Sequence, residues 1–585
     1  IAGTVAANKT VAFADRITAV TPRRYLAFTP AAYRTVAEIV AATRNDLRTP
    51  RDVDYIIITY DDFYQQAMQL KSLRENWSPN DRLSTEVVRI SDVFNEFGWG
   101  ISDPTAIRDF LLSAYQRWSQ PRYVLLLGDG HYDYKNILKH GVVNFIPPYE
   151  TADRSENDTR VTDDWFTYLK GNRSGMQMAI GRMPVQSVEE AQAAVDKTIA
   201  YETNYEPGEW RKTITIVGDD ELKAGGVGQE TDHTRQAEIL AESHVPDLFN
   251  VRKIYLMDYP VVRTVSVSGV TKPQANEALI DQINQGTLIL NFIGHGNDEL
   301  WTHEQVLYAP TDFHRIQNQG RLPLWVAATC EFAYWDQPDK QSFAERIQNA
   351  AERGAVAMVA SSRVAFSYDN ASFNYQLFDI LFSPYLSGGK ILRVGDAVMI
   401  AKNNTYNDYN SEKYAVLGDP ALRLGAPTSR AKIEQITPDS LQALRRVRVS
   451  GYIEKDAGVW NDFNGKLLLR VVDAKKQRVY ETSAGLKVYY VLPGNSVFRG
   501  VTEINNGRFN MEFIVPKDIS YGGEDGRLSL YFWNDASEGT GHYEKLPVGG
   551  TAVNLVDHEG PEITIKFGQE DFSSGDFTKP DPLLN

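Results

Sequence analysis

Thr287-Leu288-Ile289-Leu290-Asn291-Phe292-Ile293-Gly294-His295-Gly296 and Leu322-Pro323-Leu324-Trp325-Val326-Ala327-Ala328-Thr329-Cys330 decide the fold. Each is a short apolar run with Gly or Pro close by, which reads as a buried strand. In an open parallel sheet, chemistry gathers at the carboxyl ends of the strands, where His295 and Cys330 stand. Cys330 lies 35 positions after His295, enough for a crossover back into the same sheet. Two neighbouring parallel strands would then hold an imidazole and a thiol at one edge. A cysteine nucleophile needs that arrangement, because the thiolate is the reactive form and an imidazole can generate or stabilise it. A lone cysteine is also commonly just a small buried hydrophobe. Cys330 is the only cysteine, so any thiol chemistry happens there. Gly294 and Gly296 flank His295 and leave backbone N–H groups open to a substrate carbonyl.

Outward from this pair the pattern repeats. Asp52–Thr59, Thr85–Ile90 and Tyr123–Leu127 read as strands, with helices expected at about Asp62–Glu75 and from Asp103. Asp103 is a good N-cap and Pro104 suits a first turn. Strand and helix alternation argues for a doubly wound α/β unit over residues 50–205. A second unit over 206–425 opens at Thr213–Gly218 and carries the His and Cys strands. Tyr33–Leu47 has helical spacing inside a lead-in, residues 1–49. From 428 to 555 short strands separated by Gly-rich turns indicate a β-sandwich, and 556–585 reads as the entry to a further β domain. Neither end reads as a natural terminus, so a longer parent chain is expected. The Gly-Asp endings at Asp129, Asp219 and Asp419 read as turn chemistry.

Composition removes several function classes. A net charge of −15 and a pI near 5.2 argue against a nucleic-acid binder and against an anionic-membrane patch. No apolar run reaches membrane-spanning length. A single cysteine excludes an internal disulfide framework.

The blocks Gly294-His295-Gly296 and Ala328-Thr329-Cys330-Glu331 resemble the His-Gly and Ala-Cys blocks of clan CD cysteine peptidases. Tyr123–Gly130, Ala179–Pro184 and Leu417–Leu422 make the context closest to the gingipains, and within them to the gingipain-like sortases of type IX secretion. The resemblance implies two adjacent doubly wound α/β subdomains, with the site in the second, followed by an immunoglobulin-like β-sandwich. It implies thioester chemistry on Cys330, His295 as general acid and base, and an oxyanion hole from the N–H groups of Cys330 and Gly296. It implies an acid that orients His295. Asp220 matches that position best and Asp219 is the near alternative, although an Asp after a strand-ending Gly is also ordinary turn chemistry. Asp232 stands, in a looser match, where gingipains place the acid of their specificity pocket; it also suits a helix N-terminus. His233 and His303 read as surface or loop histidines.

No cofactor is required, and no His/Cys spacing resembles a zinc site. The gingipain resemblance makes a structural calcium ion an expectation, and Asp153, Glu156, Asp158, Asp163 and Asp164 offer oxygen ligands or else form a solvated acidic loop. The sortase resemblance further implies partners: C-terminal sorting domains of exported proteins, a lipopolysaccharide acceptor amine and other secretion-complex subunits. It places the protein at the bacterial outer membrane or cell surface, without a transmembrane helix.

Overall fold

The structure, a computed structural model, describes residues 46–552 apart from 78–80, 152–154, 156, 172–173, 205, 224–225, 228–229, 264–269 and 406–408. In the leading segment it describes one antiparallel hairpin, Thr4–Val5 with Val11–Ala12. The chain divides into two compact units at Asn45/Asp46. The helix expected over Tyr33–Leu47 lies, up to residue 45, outside the described residues, as does the further β domain expected at 556–585.

Ten strands of the second unit form one sheet: β1 Tyr55–Thr59, β2 Thr85–Arg89, β3 Tyr123–Leu127, β4 Ala179–Met183, β5 Thr213–Gly218, β6 Asn250–Tyr255, β7 Ile289–Ile293, β8 Leu324–Ala328, β9 Ala357–Ser361 and β10 Tyr414–Leu417. Their order is β6-β5-β7-β8-β9-β10-β4-β3-β1-β2. Every residue of β1, β3, β4, β7, β8 and β9 is buried, as strands covered by helices on both faces must be. The two expected α/β units are therefore two halves of a continuous sheet. Strand β10 is the seam, antiparallel to β9 and parallel to β4 through Leu417 and Arg182. The halves consequently run in opposite directions.

Polar groups lock the seam. Gly418 has φ +129°, a left-handed conformation that a side chain would strain. A Cβ on Gly181 would lie 2.6 Å from the Gly418 carbonyl oxygen. The buried Asp419 carboxylate accepts from Tyr55 Oη at 2.8 Å and from Arg74 at 2.7 and 3.1 Å, while Arg74 also donates to Glu202 at 2.6 Å. This Gly-Asp ending does more than turn the chain, and so does the one at Asp219, described below.

Helices cover both faces. Six bear on the argument: α1 Tyr64–Asn76, α2 Ile90–Phe97, α3 Pro104–Arg117, α4 Val188–Thr203, α5 Asp232–Ile239 and α6 Pro273–Gln285. Asp103 caps α3 as expected, accepting from Thr105 N–H at 2.8 Å. Helix α2 was not expected, because its residues continue the apolar run of β2.

After residue 428 eleven further strands follow among the described residues, of which ten bear on the argument. They are β11 Ser429–Thr437, β12 Leu441–Ala443, β13 Arg446–Lys455, β14 Gly465–Val472, β15 Lys476–Glu481, β16 Lys487–Leu492, β17 Ser496–Asn505, β18 Arg508–Ile514, β19 Asp525–Trp533 and β20 Glu538–Thr551. Alternating burial, as in β13 with Val447, Val449 and Ile453 inside, builds one apolar core. Pairing runs β11-β13-β18-β17-β14-β19-β20 and returns from β20 to β11, so the expected sandwich is a sheet whose edges meet. The hairpin β15–β16 stands outside it and reaches onto the α/β unit. There Tyr480 Oη, Ser483 N–H and Ser483 Oγ donate to Glu221, and Val491 N–H donates to Glu238. Lys212 Nζ is buried in the same junction and donates to Ser529 Oγ and the Leu530 carbonyl, both at 2.9 Å. No described helix is long and apolar enough to cross a membrane.

Candidate active site

Strands β7 and β8 are parallel neighbours, with Ile293 opposite Ala328. His295 and Cys330 each follow two residues later, so the fold carries both to one edge of the sheet. Gly296 meets the residue before the cysteine: a Cβ there would lie 2.7 Å from Thr329 Oγ1. Gly296 also opposes Trp301 in a small bridge closed by Thr302 N–H to His295 O and Asn297 N–H to Leu300 O, at 2.8 and 3.0 Å. In a pair of that kind the central N–H points away from the partner strand. Among the described residues, neither the Gly296 N–H nor the Cys330 N–H has a hydrogen-bond partner.

His295 is fixed from two sides. Its backbone N–H donates to Asp219 Oδ2 at 2.9 Å, and its Nε2 is hydrogen bonded to Glu230 Oε2 at 2.8 Å. The carboxylate on the imidazole is therefore Glu230, not the expected Asp220. Asp220 is turned elsewhere: its Oδ2 takes the ammonium of Lys272, just before α6, and its Oδ1 accepts Leu222 N–H at 2.7 Å. Asp219, the alternative, acts on the backbone of His295, through a side chain buried at the end of β5. Burial raises the Asp219 carboxyl to about 6, despite the nearby His233.

Glu230 escaped the sequence reading because the residues ahead of it carry no periodic pattern. Its signal was Glu230-Thr231-Asp232-His233, an acid and an imidazole three apart at the opening of α5, hence on one face. Glu230 Oε1 stands 3.4 Å from His233 Nε2. Hydrogen bonds to His233 first, then to His295, hold the Glu230 carboxyl well below the usual carboxylate range. His233 is buried, not on the surface as expected, and its ring meets that of His295 edge-on at 5.0 Å. His303 is exposed in the following turn, as expected, with its ring 5.3 Å from that of His295, and partial desolvation lowers its pKa. Asp232 is exposed at the first position of α5, while Glu230 and His233 on either side of it turn towards His295.

Cys330 is half-buried. Its sulfur donates to the Ala365 carbonyl at 3.4 Å and accepts the Ala365 N–H at 3.3 Å. Burial raises the thiol pKa, partly offset by the Ala365 N–H. Beside Ala365, the aromatic rings of Phe366 and Tyr368 are exposed.

Of the acids expected to hold calcium, Asp153 and Glu156 lie outside the described residues. Asp163 is paired with Arg182 at 2.7 Å and Asp164 with Lys402 at 2.6 Å. Two other groups bring ligand atoms within 4.8 Å of one another: Glu230, His233 and His295, and the buried Asp219, Asp220 and Glu304.

Residues 48–425, the whole of the ten-stranded unit, match peptidase family C25. The chain belongs to peptidase family C25. Its curated relatives include gingipain R2 of Porphyromonas gingivalis (strain ATCC BAA-308 / W83), 22% identical over 386 residues, or 63% of this chain and 46% of the relative. Gingipain R1 of Porphyromonas gingivalis is 21% identical over 408 residues, 67% of this chain and 35% of the relative. The chain thus spans less than half the length of these relatives. Among solved structures, the Arg specific cysteine proteinase gingipain R is 19% identical, with a TM-score of 0.48 over 87% of this chain and 100% of that one. Dimeric latent PorU from Porphyromonas gingivalis is 22% identical, with a TM-score of 0.39 over 91% of this chain and 46% of that one.

Proposed function

We propose that this C25 chain is a gingipain-like cysteine peptidase that works by acyl transfer, acting as a sortase of type IX secretion at the bacterial cell surface. The observation that carries the peptidase reading is the placement of His295 and Cys330 two residues past paired positions of adjacent parallel strands. Cys330 Sγ attacks the scissile carbonyl, and the sulfur–carbon bond forms as the thiol proton passes to the His295 imidazole. The N–H groups of Gly296 and Cys330 hold the oxyanion. Proton exchange runs through the His295 imidazole, whose Nε2 Glu230 engages. Glu230 acts as the positioning residue, stabilising the imidazolium that forms when a proton is taken up. The imidazole protonates the leaving amine, the carbon–nitrogen bond breaks, and a thioester remains. A second nucleophile then loses its proton to His295 and releases the acyl group.

The sortase part concerns that second nucleophile and rests on the resemblance of the flanking sequence. The substrate would be an exported protein bearing a C-terminal sorting domain. Its new carboxyl end would pass to a lipopolysaccharide amine, with other secretion-complex subunits as partners. Water in place of the amine gives plain hydrolysis by the same residues. A substrate carrying a sorting domain, incubated with and without lipopolysaccharide and read by mass spectrometry, separates the two. An amide-linked product that vanishes in Cys330→Ala is expected, and free acid alone in the presence of acceptor would reject the sortase part.

One observation favours a second reading, a non-catalytic gingipain-like scaffold: the thiol is held up in pKa and bonded both ways to Ala365. Iodoacetamide alkylation against pH decides it. A scaffold thiol would react only near its raised pKa, whether or not peptide is bound and whether or not His295 is present.

A further inference from the structure

His233 has no part in the acyl transfer, yet it is buried against the site with its Nε2 facing the Glu230 carboxylate. The other ring nitrogen, Nδ1, is 3.4 Å from Ser367 Oγ, which turns Nε2 towards Glu230. The Glu230 carboxylate lies between two imidazoles, Oε1 at 3.4 Å from His233 Nε2 and Oε2 at 2.8 Å from His295 Nε2. Two imidazole nitrogens and one carboxylate are the protein ligands of an open zinc site, with a fourth position left to water. A tetrahedral ion with bonds of about 2.0–2.1 Å holds its ligands roughly 3.3 Å apart; the two carboxylate–imidazole spacings bracket that value, and all three ligand atoms lie within 4.8 Å of one another. Ser367 on Nδ1 is the kind of outer contact that orients a ligating histidine. The His295 side chain is 35% exposed, which leaves an entry path. The Asp219, Asp220 and Glu304 group has oxygen donors only and already holds the Lys272 ammonium, so it suits such an ion less well.

We propose that Glu230, His233 and His295 form a reversible binding site for a divalent transition-metal ion of the zinc class, and that its occupation switches the peptidase off. The metal takes His295 Nε2 and the Glu230 carboxylate together. The imidazole is then fixed as a neutral ligand, unable to carry a second proton to a leaving amine. The inhibitory half rests on the catalytic reading of Cys330 and His295; the binding half does not.

The test uses the full chain, stripped of metal. Zn2+ is titrated calorimetrically and Co2+ by its visible absorption, in wild type, Cys330→Ala, His233→Gln and Glu230→Gln. One ion per chain is expected in wild type and in Cys330→Ala, with affinity at least ~10-fold weaker in the other two, as lost ligands require. X-ray absorption of the zinc-loaded wild type needs no variant and should show nitrogen and oxygen scatterers only. A sulfur scatterer, loss of binding in Cys330→Ala, unchanged affinity in both His233→Gln and Glu230→Gln, or absence of binding in wild type would overturn the site. Zn2+ should slow peptide cleavage in parallel with its binding curve; cleavage that continues at full rate with the site filled would overturn the switch. If the site fills as expected but the metal-free chain cleaves nothing and its thiol stays inert, the peptidase reading fails and the metal site stands.

Discussion

Replacing Glu230 by Gln removes the charge between His233 and His295 while keeping the size of the side chain. A hydrogen bond to a charged partner contributes about 1.5–3 kcal/mol, and each ~1.4 kcal/mol off the barrier is about tenfold in rate. The side chain is 20% exposed, so solvent screens part of this and the lower end applies. A loss of roughly 10–30-fold in kcat is expected. KM should stay near its wild-type value, because the charge matters most when His295 is an imidazolium. The same change should lower the His295 pKa, since the imidazolium loses its counter-charge. The assays are cleavage of a quenched fluorescent peptide and a ring-carbon NMR titration of the histidines. Asp220→Asn is the control: it should disturb the Lys272 contact and leave kcat within a few-fold. The reasoning is refuted if Glu230→Gln keeps wild-type kcat and His295 titration, or if Asp220→Asn reproduces both losses.

Gly296→Ala pushes a methyl against Thr329 Oγ1 and the Leu300 carbonyl, so kcat should fall by about 10²-fold or more, as for loss of an oxyanion donor; Thr329→Ala in the same chain should recover part of it. Arg74→Met leaves Asp419 and Glu202 buried without their cation and should cost about 3–5 kcal/mol, read as a lower urea midpoint by tryptophan fluorescence, whereas Tyr55→Phe should cost about 1 kcal/mol. Burial raises Glu304 from about 4.5 to about 7. The folded state therefore holds a proton that the unfolded chain has lost, and stability should fall as pH rises from about 4.5 through 7. Glu304→Gln should remove that fall, by an amount on the order of 3 kcal/mol at pH 8; identical melting curves for both proteins from pH 5 to 8 would count against it.

What the sequence made legible was what short-range pattern encodes. The buried strands ending at His295 and Cys330 could be placed because β-branched, aromatic and small apolar residues cluster between turn formers. Asp103 could be read as a cap because capping is local. The join of the two halves was not legible, since β10 is four residues long and its pairing with β4 depends on a distant Asp419–Arg74–Tyr55 contact. Helix α2 was hidden because Ile90 ends the β2 run without a breaker. Asp220 and Asp219 stand out because they follow a strand end, whereas Lys272, which decides where Asp220 points, lies 52 residues further on. His233 looked like a surface residue because α5 is too short for its inward face to show as a pattern. The closing pair β11–β20 joins residues more than a hundred positions apart and leaves no local trace.

The β15–β16 hairpin sets how small a working piece of this chain can be. Its Tyr480 and Ser483 satisfy Glu221, the residue after the Asp219–Asp220 pair, and its Val491 amide satisfies Glu238 on the helix that Glu230 and His233 open. A piece ending at residue 425 would hold every residue of the acyl-transfer site and still leave the Glu221 carboxylate stripped of its donors and the Lys212 ammonium without its acceptors. The boundary of the enzyme as a physical object therefore lies in the C-terminal barrel, well past the last residue of its chemistry.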